Sequence, residues 1–271
     1  MKIVDVRVTL LSIPTNLARY PDVSGRFGRH SFCLVELETD DGLVGLGDAF
    51  CWGCEHAVAG MIVHHLAPRI KGQDASQVAA LTESLFRSLA GTGRAGVGAY
   101  AVSGIELALW DLAGKRAGLP LCDLLGGASR REVPVYASLV RHPEAHERIG
   151  EECAKALAEG YTMIKLHQTT AESVRLAQGV VCRAVPITVD VNWEWTTHEA
   201  LRHAEAMREH DILWLEEPVW PPEDFEALRE VQSRSGVALA SGENLSTARQ
   251  FKRMMDVGAV SFVQPSVTKV G

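Results

Sequence analysis

The alternation of apolar and polar positions changes rhythm near residue 132. Before it, residues 1–12 (MKIVDVRVTLLS) and 32–49 alternate with the period of a strand that buries one face. The second stretch holds two such runs joined at Asp40-Asp41-Gly42, a composition that predicts a hairpin turn. Residues 57–125 read as helical. There Val102, Ile105, Leu109 and Leu112 share one face, and Pro120 and Gly126-Gly127 mark the stop. After 132, six short apolar runs (133–139, 163–167, 187–193, 212–218, 238–244, 261–266) alternate with amphipathic stretches. Helices are expected over 144–159, 171–184, 197–209, 222–234 and 246–257. Strands alternating with helices imply a parallel sheet, and a repeat of about 25 residues predicts a (β/α) barrel. The expected fold class is α/β. An N-terminal α+β domain, a three-stranded sheet plus helices over 1–130, precedes a barrel over 131–271. Five units and a sixth strand fall short of eight, so the barrel is expected to be incomplete in this chain.

Two segments escape the pattern. Residues 14–31 are rich in Pro, Gly, Arg and Ser, and residues 50–57 (FCWGCEHA) are also irregular. Loops of the first length in compact domains are usually functional.

Polar residues close the successive strands of the second half: Lys165 and His167, Asp190 and Asn192, Glu216 and Glu217, Glu243 and Asn244. Lys165, Asp190, Glu216 and Glu243 stand 25, 26 and 27 residues apart in turn, one repeat each. Barrels build active sites at that end of their strands. A single acid there is commonly a solvated loop residue. Three in register would repel one another unless a cation neutralised them, and an all-oxygen set suits Mg²⁺, with Mn²⁺ as the alternative. Lys165 and His167, two apart, point the same way.

Composition narrows the partners. Hydrophobic residues make up 46% and charged residues 23%, which is ample for a core, and the formal net charge is -7. Such a chain has no electrostatic reason to bind nucleic acid or an anionic membrane, so an anionic substrate must meet local positive charge. No run of eighteen apolar residues occurs and the start reads as a strand, so a cytoplasmic location is expected. Of the cysteines at 33, 51, 54, 122, 153 and 182, only Cys51-Trp-Gly-Cys54 has motif spacing. Without a second pair it reads as loop or buried thiols.

Val-Asp190-Val-Asn192, Leu-Glu216-Glu217-Pro218 and Gly242-Glu243-Asn244 resemble the three metal-ligand segments of the mandelate racemase and muconate lactonizing branch of the enolase superfamily. Residues 104–127 resemble its linking helix and turn, and the resemblance covers the whole chain. It implies that residues 1–130 cap the barrel, with loops 14–31 and 50–57 over its mouth to select substrate. It implies Mg²⁺ held by Asp190, Glu216 and Glu243, and removal of the proton beside a substrate carboxylate with stabilisation of the enediolate that forms. Lys165-Leu-His167 matches the family's Lys-x-Lys motif with its second lysine replaced. The resemblance assigns carboxylate stabilisation to Lys165 and proton transfer to His167. FVQPSVTKVG (262–271) resembles the sixth-strand segment, where relatives carry an Asp or a catalytic Lys; here Ser266 takes that place, and Lys269 follows.

Glu217, Asn192, Asn244, Ser266 and Lys269 are expected to support the site or touch substrate. Trp193, Trp195 and Trp220 are candidates for the pocket wall. Arg19, Arg26, Arg29 and His30 of the long loop are candidate specificity residues. The leading expectation is a sugar-acid dehydratase, since one histidine can serve as both base and acid on one face. A racemase, epimerase or cycloisomerase is the alternative, and a non-catalytic or truncated metal-binding relative is the third reading. The expected partner is a small-molecule carboxylate, with no nucleic acid and no membrane, and the protein is expected to be a homo-oligomer.

Overall fold

The computed structural model describes residues 1–15, 28–142 and 146–271. Packing divides the chain into two units. One holds Met1–Arg131 together with Glu243–Thr247 and Pro265–Gly271; the other holds Glu132–Gly242 and Ala248–Gln264.

In the first unit, β1 (Ile3–Pro14), β2 (Arg29–Thr39) and β3 (Val44–Ala49) form an antiparallel meander in that order. Alternation places Val6, Cys33, Val35, Leu37 and Ala49 on the buried face. The expected hairpin turn is present. Thr39 Oγ1 donates to Asp41 at 2.6 Å, and Gly42 takes φ +84°, a left-handed conformation open to glycine. β1 and β2 stay paired out to Pro14 opposite Arg29, so much of the 14–31 segment that can be described is strand rather than loop.

Helices follow the sheet. Glu55–Gly60 (α1) passes through a π-helical turn at Met61–Leu66 into Ala67–Ile70 (α2). Val78–Ser88 (α3) and Val97–Ala117 (α4) come next, and a short Leu121–Leu124 (α5) closes the run. Val102, Ile105, Leu109 and Leu112 of α4 are all fully buried, as their spacing predicts. Helix α4 lies almost backbone to backbone on β3. A Cβ at Gly47 would stand 2.0 Å from the Gly104 carbonyl oxygen, and one at Gly45 would stand 2.2 Å from that of Ala108. Only glycine permits this approach.

The second unit holds β4 (Ala137–Ser138), β5 (Ile164–Leu166), β6 (Ile187–Asp190), β7 (Leu215–Glu216), β8 (Leu239–Ser241) and β9 (Phe262–Val263). They pair in parallel, each with the next in sequence. Between them lie α6 (His146–Ala158), α7 (Ala171–Gln178), α8 (Thr197–Met207), α9 (Phe225–Ser235) and α10 (Ala248–Asp256). The helices begin where side chains can satisfy their free N–H groups. Thr196 and Glu199 form a reciprocal capping box, Thr170 accepts from Ser173 N, and Asp224 accepts from Ala227 N.

The strands are shorter than the apolar runs predict. Left-handed residues end two of them early: Asn192 and Trp193 (φ 47° and 53°) after β6, and Glu217 (φ 45°) after β7. Helix α7 stops at Gln178, short of the expected 184, with Gly179 as its cap. No described helix is long and apolar enough to cross a membrane.

Candidate active site

β5 carries Lys165, with His167 just beyond its end, while β6 ends on Asp190 and β7 on Glu216. The β6–β7 register sets Asp190 directly beside Glu216. Parallel pairing thus turns the repeat spacing of the sequence into contact. Lys165 Nζ donates to Asp190 Oδ2 at 2.8 Å and to Glu216 Oε1 at 2.6 Å. Lys165 is 7% exposed, Asp190 2% and Glu216 1%.

His167 lies on the same side as Lys165. Its Nε2 is 3.4 Å from Asp190 Oδ2, and its Nδ1 is 2.5 Å from the Leu139 carbonyl oxygen. Asn192 turns back on Asp190, giving Oδ1 two hydrogen bonds, from its backbone N at 2.8 Å and its Nδ2 at 3.0 Å. Glu216 Oε2 accepts from Gln264 Nε2 at 2.8 Å and Trp214 Nε1 at 3.2 Å. The Tyr136 ring centre lies 5.9 Å from the Lys165 ammonium.

The charges are unbalanced. Burial alone would lower the Lys165 pKa, but the Asp190 and Glu216 carboxylates overcome it and raise it. Burial would raise Asp190, but the neighbouring His167 and the charge of Lys165 bring it down to about 2. Glu216 moves the other way. Burial and then the negative charge of Asp190 raise it, and Lys165 only partly offsets them. The two partners of one ammonium therefore shift oppositely. Asp190 stays ionised because two N–H groups of Asn192 meet it besides Lys165, with the His167 ring 3.4 Å away, whereas Glu216 bears the repulsion that remains.

Two buried carboxylates around one ammonium leave a negative excess on adjacent oxygens, and that donor set fits a hard divalent cation. Among the described residues, no group of three His, Cys, Asp or Glu side chains forms a ready metal cage. Lys165 Nζ bridges Asp190 and Glu216. Glu243, the third expected donor, packs with the first unit, where Lys269 Nζ is 3.6 Å from its Oε1 and 3.4 Å from Asn244 Oδ1.

The other expected residues have varied placements. Glu217 is buried, and its backbone N donates to the Ala240 carbonyl at 3.0 Å. The Ser266 carbonyl accepts from Lys269 N at 2.9 Å, within a helical turn over Val267–Val270 (α11). Arg29 is tied down by Ser12, with Nε to Oγ at 2.8 Å, and His30 packs against Phe32 at 4.6 Å. Arg19 and Arg26 lie outside the described residues. Trp195 is buried and stacks on His203 at 4.3 Å, a core role, while Trp220 is 63% exposed. Cys51 and Cys54 belong to a tight turn, with Cys54 N bonded to the Cys51 carbonyl at 2.8 Å. Sequence reasoning missed Trp214, Gln264 and the Leu139 carbonyl. Trp214 is two positions before Glu216 and so shares its face, which is a usable signal; Gln264 lies one residue past β9.

Residues 2–126 match the mandelate racemase / muconate lactonizing enzyme N-terminal domain, and residues 148–271 match the enolase C-terminal domain-like family. The chain belongs to the mandelate racemase and muconate lactonizing branch of the enolase superfamily. It is 30% identical to a 3,6-anhydro-alpha-L-galactonate cycloisomerase of Streptomyces coelicolor, over 98% of this chain and 75% of the relative. It is also 30% identical to a D-xylonate dehydratase of Haloferax volcanii, over 90% of this chain and 64% of the relative. Among solved structures, a racemase from Streptomyces coelicolor A3(2) with bound magnesium superposes with a TM-score of 0.89. Its identity is 30%, and the match covers 99% of this chain and 78% of that one. The chain thus carries the superfamily's N-terminal domain followed by its parallel-sheet C-terminal domain. The relatives are enzymes, and so is this protein, which decides against the non-catalytic reading.

Proposed function

We propose that this enzyme removes the proton α to the carboxylate of a sugar acid and expels the β-hydroxyl as water, the reaction of a sugar-acid dehydratase. The observation that carries the reading is the setting of His167. The Leu139 carbonyl can only accept, so Nδ1 holds a proton and Nε2 presents its lone pair. A proton arriving at Nε2 gains Asp190 Oδ2 as a partner 3.4 Å away, which stabilises the imidazolium at the moment it forms.

Lys165 donates two of its three N–H bonds to Asp190 and Glu216. The third is available to a substrate carboxylate oxygen, where charge accumulates as the α-proton leaves. The same His167 Nε2–H then protonates the departing β-hydroxyl. The C–H pair becomes the C=C bond, the C–O bond breaks, and the enol rearranges to a 2-keto-3-deoxy acid. Asp190, Glu216 and Glu243 would hold Mg²⁺, or Mn²⁺ in its place, and the ion would supply positive charge against the substrate carboxylate. Glu217, Asn192 and Asn244 would support these donors. The capping segments around 14–31 and 50–57, with Arg29 and His30, would select the substrate.

A second reading, cycloisomerisation of an anhydro sugar acid, is favoured by the Streptomyces coelicolor cycloisomerase. It shares the first proton transfer and differs in the bond broken. Exposed Leu46, Leu119, Leu121 and Leu125 on the capping unit support a homo-oligomer, and six free thiols support a reducing compartment, the cytoplasm.

The test is a panel of sugar acids with Mg²⁺ in deuterated solvent. We expect deuterium at the α-carbon of recovered substrate, and a keto-deoxy product with solvent deuterium at C3, from at least one acid. An isomeric product, heavier than the substrate only by the deuterium it takes up, would instead support cycloisomerisation. No exchange with any acid would sink both.

A further inference from the structure

We propose that Lys269 is a positioning residue for Glu243, seated by the ring of Phe50. The inference rests on the reading that Glu243 donates to the divalent ion.

Lys269 is 5% exposed, and a buried ammonium must be met by partners or it is costly. Its partners here are unusual. The ammonium lies 4.5 Å from the centre of the Phe50 ring, 3.4 Å from Asn244 Oδ1 and 3.6 Å from Glu243 Oε1. An aromatic face, an amide oxygen and one edge of a carboxylate hold it, and among the described residues no tight ion pair locks the carboxylate away.

The seat is built from several directions within the capping unit. The buried Ser103 of α4 donates from Oγ to the Val267 carbonyl at 2.8 Å, and Phe50 N donates to the Thr268 carbonyl at 2.9 Å. Tyr100 packs edge-on against Phe50 at 5.0 Å. Lys269 therefore projects from a turn pinned at both preceding residues, against a ring that is itself braced. Glu243 has no such anchorage. It follows Gly242 at φ +133° and its side chain is 37% exposed, so its carboxylate depends on what it meets. Among the described residues, Lys269 is the charged group beside it, at 3.6 Å. Phe50 begins the 50–57 segment, whose last residues open helix α1, so the same contact joins that segment to a metal donor.

Mn²⁺ binding, followed by the electron paramagnetic resonance of the free ion, tests this without turnover. Lys269→Met should weaken Mn²⁺ binding on the order of 10–100-fold, the usual cost of removing a residue that orients a ligand. Lys269→Arg should recover most of that loss. In a Glu243→Gln background, Lys269→Met should cost nothing further. Should Lys269→Met not fold, Phe50→Leu, which keeps bulk and removes the π face, carries the test, with a severalfold weakening expected. The inference is overturned if Glu243→Gln weakens binding while Lys269→Met, or Phe50→Leu in its place, leaves it unchanged in the folded protein. A purely structural lysine would lower the melting temperature in that way. Unchanged binding in Glu243→Gln would instead remove Glu243 from the donor set, and the inference with it.

Discussion

His167 donates from Nδ1 to the carbonyl oxygen of Leu139 at 2.5 Å. The bond sets both the ring's tautomer and its aim, because a main-chain carbonyl just past the neighbouring strand β4, itself held by Leu139 N donating to the Lys165 carbonyl at 2.9 Å, cannot rotate away. Replacing His167 with Asn should therefore remove α-proton exchange and turnover together, by on the order of 10²–10⁴-fold. Deuterium incorporation measured by NMR separates the roles. Exchange that survives in His167→Asn and disappears in Lys165→Met would show that lysine is the base.

Lys165 neutralises Asp190 and Glu216 from inside the barrel unit. Lys165→Met leaves two adjacent buried carboxylates uncompensated and should cost about 3–5 kcal/mol of stability. Adding Glu216→Gln should recover part of that loss, because one of the repelling charges is gone. Urea unfolding of the single and double variants reads the coupling, and strictly additive losses would contradict this account.

The opposite shifts of the two carboxylates predict where pH acts. Asp190 is lowered to about 2, so its contribution to stability is complete above 3.8 and is lost only as pH falls through about 2. Glu216 is raised, so the folded state favours its neutral form below 4.5, and this advantage is lost as pH rises through its folded value. Metal donors must be deprotonated. Mg²⁺ affinity should consequently fall as pH drops through the Glu216 transition above 4.5, while Asp190 is still ionised. Calorimetric titrations at stepped pH should show that inflection in the wild type and not in Glu216→Gln. An inflection unchanged by the substitution would assign it to another group.

Gly47→Ala tests the contact between β3 and α4. The added methyl would meet the Gly104 carbonyl oxygen at 2.0 Å, and neither backbone can yield cheaply. A loss of at least about 1–3 kcal/mol is expected, read as a lowered melting temperature. Gly91→Ala, where no atom lies within 4 Å of the added Cβ, should be close to neutral.

Much of this architecture can be read from periodicity. The buried face of α4 and the Asp40-Asp41-Gly42 turn follow from local chemistry, and the strand-end contact of Lys165, Asp190 and Glu216 follows from a repeat acting through parallel pairing. What escaped reading has physical reasons. The Leu139 carbonyl that orients His167 is a backbone atom, with no residue type to betray it. Gln264 reaches Glu216 only because β8 and β9 bring a distant segment alongside. Helix α7 stops at Gln178, capped by Gly179, although the apolar pattern continues. The allegiance of Glu243 depends on packing with residues far away in sequence, which spacing along one strand period does not encode.

The interleaving of Glu243–Thr247 and Pro265–Gly271 with the capping unit bears on how this lineage can be recombined. A chimera cut once after Arg131 would graft a foreign cap onto two segments that pack with the original. The resident Lys269 would then meet whatever residue the donor supplies at position 50. Cap exchange should succeed only when those two short stretches travel with the cap, so the packing unit here is discontinuous in sequence.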